Sequence, residues 1–307
     1  MNIAIGADIG GTHITSAAID LDSFSVIENS YYNQKIDNKS PKDVIFKQWA
    51  SCLNNSIKAV SSNNILGVGI AIPGPFDYAK GIGKYERNDK YESLYNVSVI
   101  DGLAREIQNE EIKLRFLNDA SSFGLGSDLL ENLNKDNTIA ITLGTGFGAT
   151  FLQNKVPLIK GKGVPENGCL WDKEFKDGIA DDYFSTRWLI KHYSDLTDKN
   201  TSGCGVKELI DRDPENMKQV FADFADNLCE FLVPHLKAFD TDVLFIGGNI
   251  AKASVYFLDK LENCIDSEGL KIKIRIVTEA EKVGVVGAAY LFNPEFWEQI
   301  RKELPTI

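Results

Sequence analysis

The chain carries two copies of one pattern: an apolar run that breaks into a glycine turn and resumes as a second extended run. Ile3-Ala-Ile-Gly-Ala-Asp-Ile-Gly-Gly-Thr12 is the first copy, continued by His13 to Asp20. Ile139-Ala-Ile-Thr-Leu-Gly-Thr-Gly-Phe-Gly148 is the second, continued by Ala149 to Gln153. A pattern repeated at domain-scale spacing points to a duplicated unit. Glycine turns let backbone N–H groups approach an anion closely. One such turn per half is expected to place two loops across a cleft, where a nucleotide's phosphate chain is the simplest ligand.

Composition narrows the class. With 43% hydrophobic and 25% charged residues, the 307-residue chain has the make-up of a globular protein of one or two domains. A formal net charge of -11 argues against a nucleic-acid surface, which needs a basic stripe. It tolerates an anionic nucleotide, since backbone dipoles and Mg²⁺ dominate locally. No apolar stretch is long enough to span a membrane, and no basic leader precedes the first strand, so a cytoplasmic protein is expected. The five cysteines (Cys52, Cys169, Cys204, Cys229, Cys264) form no CxxC pair and are expected to be reduced, mostly buried thiols.

Residues 3–8, 13–20 and 24–32 read as three strands joined by tight turns. Ser40-Pro41 starts a helix to about Ser61, with Val44, Trp49, Leu53, Ile57 and Val60 on its stripe. Leu66 to Ile72 reads as a buried strand stopped by Pro73-Gly74-Pro75, residues 79–96 as a polar loop, and 99–108 as a helix. Leu114 to Leu117 is a strand, and Asn118-Asp119 opens the helix 120–132. The second half repeats the logic: strand, glycine turn, strand, a loop 153–177 and a helix at about 178–193. Asp213-Pro214 caps a long helix. Thr241 to Ile246 is a strand turned by Gly247-Gly248-Asn249 into a helix 250–263. Lys271 to Val277 is a strand, and 284–291 and 294–303 are helices. Strands alternating with helices make the class α/β.

Five segments stand in the order and spacing seen in one family. Asp8-Ile-Gly-Gly-Thr12, Ile72-Pro-Gly-Pro75, Asn118-Asp-Ala120, Leu143-Gly-Thr-Gly146 and Ile246-Gly-Gly-Asn249 resemble the motifs of the ROK sugar kinases, within the actin-like ATPase superfamily. The resemblance runs over essentially the whole chain. It implies a two-lobed actin-like ATPase (ribonuclease H-like) fold with duplicated mixed sheets and flanking helices around a central cleft. The small lobe would be 1–118 with the C-terminal helix 291–307, and the large lobe 119–290. It also implies an ATP- and Mg²⁺-dependent, glucokinase-like sugar kinase, and a homodimer.

The motifs then take roles. Asp8, at the end of the first strand, would hold Mg²⁺ through water while Gly10, Gly11 and Thr12 offer donors to phosphate oxygens. Taken alone this is a Gly-Gly hairpin with an aspartate turn residue; the paired turn at Thr145 and Gly146 favours the phosphate reading. No lysine follows as in a P-loop. Gly247, Gly248 and Asn249 would let adenine lie against backbone, or serve only as a tight strand-to-helix connection. Asp119 is the candidate general base for a sugar hydroxyl, with an ordinary helix N-cap as the alternative. Asn118 beside it can donate and accept toward sugar hydroxyls.

The sugar pocket implied by the resemblance comprises Gly74, Asn88, Asn118, Asp119, Glu166, Cys169 and Asp181. Here the chain departs from the family. Relatives carry Glu-x-Gly-His, and this chain has Glu166-Asn-Gly-Cys169. The family's cysteine-rich zinc loop is replaced by residues 171–181, without a cysteine, so no structural zinc is expected. Its terminal Glu aligns with Asp181. His13 stands where relatives have Lys, and His192 and His235 read as structural. Two alternatives to a kinase remain. A sugar-responsive repressor would need a helix-turn-helix segment ahead of the first glycine turn, for which the early first strand leaves no room. A catalytically weak sugar- or nucleotide-binding relative with a regulatory role would fit the lost His and zinc loop.

Overall fold

The computed structural model describes residues 2–60, 65–87, 90–108, 111–133 and 136–306. The chain divides into two compact units: residues 1–133, 155–157 and 280–307, and residues 134–154 and 158–279. The boundary expected at 118/119 lies elsewhere in this division, because the helix after Asp119 packs within the first unit.

In the first unit, β1 (Ile3–Ile9) turns at Gly10–Thr12 into antiparallel β2 (His13–Asp20). The third expected strand, 24–32, is two short ones, β3 (Ser25–Val26) and β4 (Tyr32–Lys35), both antiparallel to β2. They are split because Asn29 takes a left-handed conformation and the Ser30 hydroxyl replaces the ladder, accepting from the Ala18 N–H and donating to the Ile27 carbonyl. Helix α1 (Lys42–Lys58) buries Ile45, Phe46, Trp49, Leu53 and Ile57, while Val44 of the expected stripe faces solvent. β5 (Ile65–Ile72) runs parallel to β1. A small ribbon of β6 (Phe76–Asp77) and β7 (Ile82–Gly83) and helix α2 (Val99–Ala104) lead to β8 (Leu114–Asn118), parallel to β5, and then α3 (Asp119–Leu130). The sheet order is β3-β2-β1-β5-β8. Asp8 pairs with Ala71, and Ile72 with Asn118. The carboxyl ends of three parallel strands therefore deliver Asp8, the Pro73-Gly74 turn and Asp119 to one edge, the usual place for a ligand in an open α/β sheet.

The second unit repeats the plan. β9 (Asn137–Leu143) turns at Gly144–Gly146 into antiparallel β10 (Phe147–Gln153); β11 (Val156–Leu158), whose first two residues are counted with the first unit, follows in the chain, and then the ribbon β12 (Glu174–Phe175) and β13 (Gly178–Ile179). The single helix expected at 178–193 is α4 (Ala180–Tyr183) and α5 (Thr186–Thr197), broken at Ser185, whose extended backbone lets Thr186 bond to the Gly144 carbonyl. Next come α6 (Val206–Arg212), the long α7 (Pro214–Ala238) capped by Asp213, and β14 (Val243–Gly247). The helix expected over 250–263 is a 3₁₀ turn at Ile250–Tyr256 and then α8 (Leu258–Ser267), followed by β15 (Lys273–Ile276) parallel to β14. The sheet order is β11-β10-β9-β14-β15. A core of Phe147, Phe184, Phe221, Phe224 and Phe231 fills the space between sheet and helices.

One expectation about the cysteines is corrected. Cys229 on α7 and Cys264 on α8 form a disulfide, because the two packed helices bring their Cα atoms to 6.4 Å, within bridging range. Cys52, Cys169 and Cys204 are free thiols.

The chain returns to the first unit with α9 (Ala280–Ala289) and α10 (Pro294–Ile300). α9 lies directly on β1 and β5. Gly6 and Gly69 make this possible: a Cβ on either would stand 1.9 and 1.8 Å from the Val285 and Ala288 carbonyl oxygens.

Candidate active site

In the first unit, Asp8 ends β1 beneath α9. Gly284 of that helix leaves it room, since a Cβ there would sit 3.2 Å from a carboxylate oxygen of Asp8. Asp119 begins α3 at the same sheet edge. Both residues are half-buried. Burial pushes the carboxyl of Asp8 well above the ordinary carboxylate range, and the charges of Asp119 and Glu281 push it further. Asp119 is also raised by burial, partly offset by its hydrogen bond from the Ala120 N–H and by the positive charge of Lys90. Glu281 is itself held, accepting from the Thr15 hydroxyl at 2.9 Å and the Asn33 amide at 3.1 Å. Three neighbouring carboxylates of one sign are costly to keep ionised without a cation.

The first glycine turn is tied down through its carbonyls. Gly10 O accepts from the Tyr91 hydroxyl at 2.5 Å, Gly11 O from the Asn38 amide, and Thr12 O from the Ile36 N–H at 2.9 Å. The Gly10 N–H closes the turn on His13 O. The Gly11 and Thr12 N–H groups make no hydrogen bond among the described residues. A turn whose acceptors are occupied and whose donors are open is suited to an anion. His13 holds the Thr12 side chain, Nδ1 to Oγ1 at 2.8 Å.

The second turn has the same polarity. Gly144 O accepts from the Thr186 N–H and hydroxyl, both at 2.8 Å, and Thr145 O from Arg187 at 2.9 Å. The Thr145 and Gly146 N–H groups make no hydrogen bond among the described residues. Asp181 braces this turn from below: it accepts from the Phe147 N–H at 2.7 Å and from Arg187 at 2.7 Å. Gly146 permits it, because a Cβ there would lie 2.8 Å from an Asp181 oxygen. Asp181 thus has a defined task in the turn's architecture, distinct from the sugar contact expected of it. Gly248 is required locally, with φ +91° and no space for a side chain against Leu143 O; Gly247 ends β14 and Asn249 accepts from Lys252 at 2.9 Å.

The cap of α3 is Asn118, not Asp119. Its side chain accepts from the Ser121 N–H and donates to Tyr78, so both its polar ends are used. Gly74 lies beside Pro75 at the end of β5. Asn88 is outside the described residues. In the second unit, Glu166 is exposed in a short 3₁₀ turn, and Cys169 is only 7% exposed, with Sγ 3.7 Å from the Glu166 carbonyl. Cys169, placed in the sugar pocket by the resemblance, is therefore a buried thiol. Burial and Asp172 push it up to about 11. Alkylation of the native protein at pH 8 is accordingly expected to modify the half-exposed Cys204 first and to spare Cys169 and Cys52, the latter also raised by burial. Peptide mass spectrometry reads this, and equal labelling of Cys169 would refute its burial. Among the described residues, no group of three or more His, Cys, Asp or Glu side chains is arranged to hold a metal ion.

Four residues of these sites were not legible in the sequence: Lys90, Tyr91, Glu281 and Arg187. Each is a single residue outside any glycine motif. The one available signal was Asp182-Tyr-Phe-Ser-Thr-Arg187, a cap-like cluster directly after Asp181.

Comparison with known proteins agrees with this architecture. A ROK family profile matches residues 4–295. No curated protein sequence matches. Among solved structures, a ROK hexokinase from Thermus thermophilus superposes with a TM-score of 0.76 at 17% identity, over 96% of this chain and 99% of that one. A ROK family glucokinase from Streptomyces griseus, in complex with glucose and AMPPNP, gives 0.75 at 18%, over 94% and 98%. A ROK family transcriptional regulator, a homolog of the E. coli MLC protein, gives 0.70 at 14%, over 98% and 81%. The expected α/β, actin-like ATPase fold is thereby borne out. With the motifs in register and the profile spanning nearly its full length, the chain belongs to the ROK family.

Proposed function

We propose that this protein is an ATP-dependent kinase of a hexose or hexose derivative. The observation that carries the reading is the pair of recessed carboxylates, Asp8 and Asp119, at one sheet edge beside a turn with open amides. In this reading Asp119 accepts the proton of a sugar hydroxyl as its oxygen forms a bond to the γ-phosphorus. The bond from that phosphorus to the β-phosphate oxygen breaks, and ADP leaves with the electron pair. The Gly11 and Thr12 amides hold phosphate oxygens, and Thr145 and Gly146 are carried as phosphate contacts on the family resemblance alone. Glu166, Gly74 and Asn118 are carried as sugar contacts on the resemblance alone.

Mg²⁺ fits the residues present: a divalent cation relieves the repulsion that Asp119 and Glu281 impose on Asp8. Asp8 would hold it through water, and it would neutralise phosphate charge. A regulatory relative that binds without turnover is the second reading, favoured by Cys169 in the family's His position and by the structural match to a regulator. A coupled ADP-release assay over hexoses, N-acetylhexosamines and N-acetylmannosamine separates them. Sugar-dependent ADP release supports the kinase; none from any sugar would sink it.

Asp8→Asn tests the metal role with opposite effects on two readouts. The raised carboxyl of Asp8 binds its proton more tightly folded than unfolded, so its stabilising contribution is present at low pH and lost as pH rises through the folded value. The variant is therefore expected to melt higher than wild type near pH 7 in ligand-free protein, the gap closing as pH falls toward 5. Its Mg²⁺ requirement in the kinase assay should rise sharply. A lower melting temperature at neutral pH, with Mg²⁺ titration unchanged, would make Asp8 a structural turn residue.

A further inference from the structure

We propose that Lys90 is a phosphate-binding residue of the first unit, its ammonium contacting an oxygen of the transferring phosphoryl group between the Gly10–Thr12 turn and Asp119. The proposal rests on the kinase reading for the identity of the anion. Three observations support it.

The first is position. The Lys90 stem runs over the turn, with Cε and Cδ 3.5 and 3.7 Å from where a Cβ on Gly11 would stand. The stem therefore packs against Gly11, one of the two residues of the turn whose amides are open. The second is charge. Lys90 acts on the Asp119 carboxylate electrostatically, yet no ion pair within 4.0 Å joins Lys90 to a carboxylate among the described residues. The two are thus neighbours in charge without being an ion pair, which leaves the ammonium available to a further anion. Asp119 and Glu281 both act on Asp8 through their charge, so a phosphate bound beside Asp8 and Asp119 meets the charge of three carboxylates. One divalent ion does not offset them all, and a fixed cation on the phosphate side reduces the repulsion.

The third is anchoring. Lys90 is half-buried, and its neighbour Tyr91 is fully buried against Trp49 and Tyr85. The Tyr91 hydroxyl bonds to Gly10 O, and its N–H donates to Asn38 O at 3.0 Å, while the Asn38 amide holds Gly11 O. The residue that carries the ammonium and the turn that carries the amides are thus fastened to each other. A lysine on a free loop would pay the ordering entropy when phosphate binds; this one is partly ordered beforehand.

Lys90→Met removes the charge and keeps most of the stem. Titration calorimetry on the full chain compares Mg–ADP with Mg–AMPPNP, which differ by the terminal phosphoryl group. Wild type is expected to prefer AMPPNP, and Lys90→Met to lose about 10–100-fold of that preference, the range for a hydrogen bond to a charged group. With a sugar that is turned over, kcat should fall about 10²–10³-fold, and Lys90→Arg should recover part of both. An unchanged AMPPNP preference in Lys90→Met overturns the assignment, as does a wild type that binds both nucleotides equally or neither. Loss of the preference in a protein that phosphorylates no sugar supports Lys90 and overturns the kinase reading alone. An unaltered melting temperature shows that the variant folds, and Lys90→Gln is read in the same way if Lys90→Met does not.

Discussion

Asp119→Asn is expected to reduce kcat by about 10²–10⁴-fold, the usual cost of losing a general base. The fold should survive. The amide is isosteric, and its oxygen can still accept the Ala120 N–H that Oδ1 accepts at 2.9 Å. The helix cap is untouched because Asn118 supplies it. The substitution also removes a negative charge that raises Asp8, so ligand-free stability should hold or rise. Nucleotide affinity should change little, since the Gly11 and Thr12 amides remain. Steady-state kinetics with calorimetry for Mg–AMPPNP checks all three. Unchanged kcat would remove Asp119 from the reaction. Matched losses of kcat and melting temperature would make it structural.

The second large effect is on the fold. Gly69→Val is expected to destabilise the first unit by about 3 kcal/mol or more, at or beyond the upper end of core overpacking. The clash is with backbone: a Cβ on Gly69 falls 1.8 Å from Ala288 O and 2.5 Å from its carbon. Neither atom can rotate away, so α9 must lift from β5. The same helix carries Gly284 and Glu281 beside Asp8, so lifting it should also disturb the carboxylate group. Gly144→Ala is the control, because a Cβ there meets nothing within 4 Å. Thermal melts of the full chain should show the loss in Gly69→Val and wild-type behaviour in Gly144→Ala. Equal melting temperatures for Gly69→Val and wild type would refute the close approach of α9 and β5.

Much of this architecture could be read from pattern because the deciding interactions are local. Ile3 to Ile9 and Leu66 to Ile72 are apolar runs ended by glycine or proline, and such runs make buried strands wherever they pack. Asp213-Pro214 marks a helix start by cap chemistry alone, and the structure has the cap bond there. Where a local alternative competed, pattern failed. The run 24–32 has strand composition, but Ser30 bonds to Ala18 and Ile27 and breaks it. The segment 178–193 has helical composition, but Thr186 is drawn to Gly144 O across more than forty residues of chain.

The amino-acid sequence by itself determined the duplicated strand–turn–strand plan, the α/β class, and the positions of Asp8 and Asp119 at strand ends. Those features follow from periodicity and from glycine's freedom to turn, which act over a few residues. Only the tertiary structure decided what surrounds the two carboxylates. Lys90, Glu281 and Tyr91 reach the first turn from distant segments, and Arg187 and Asp181 brace the second. Only the packing of the helices joined Cys229 to Cys264. The reason is physical: charge–charge coupling, close approach and burial depend on distances through space, and a chain's local pattern does not contain them.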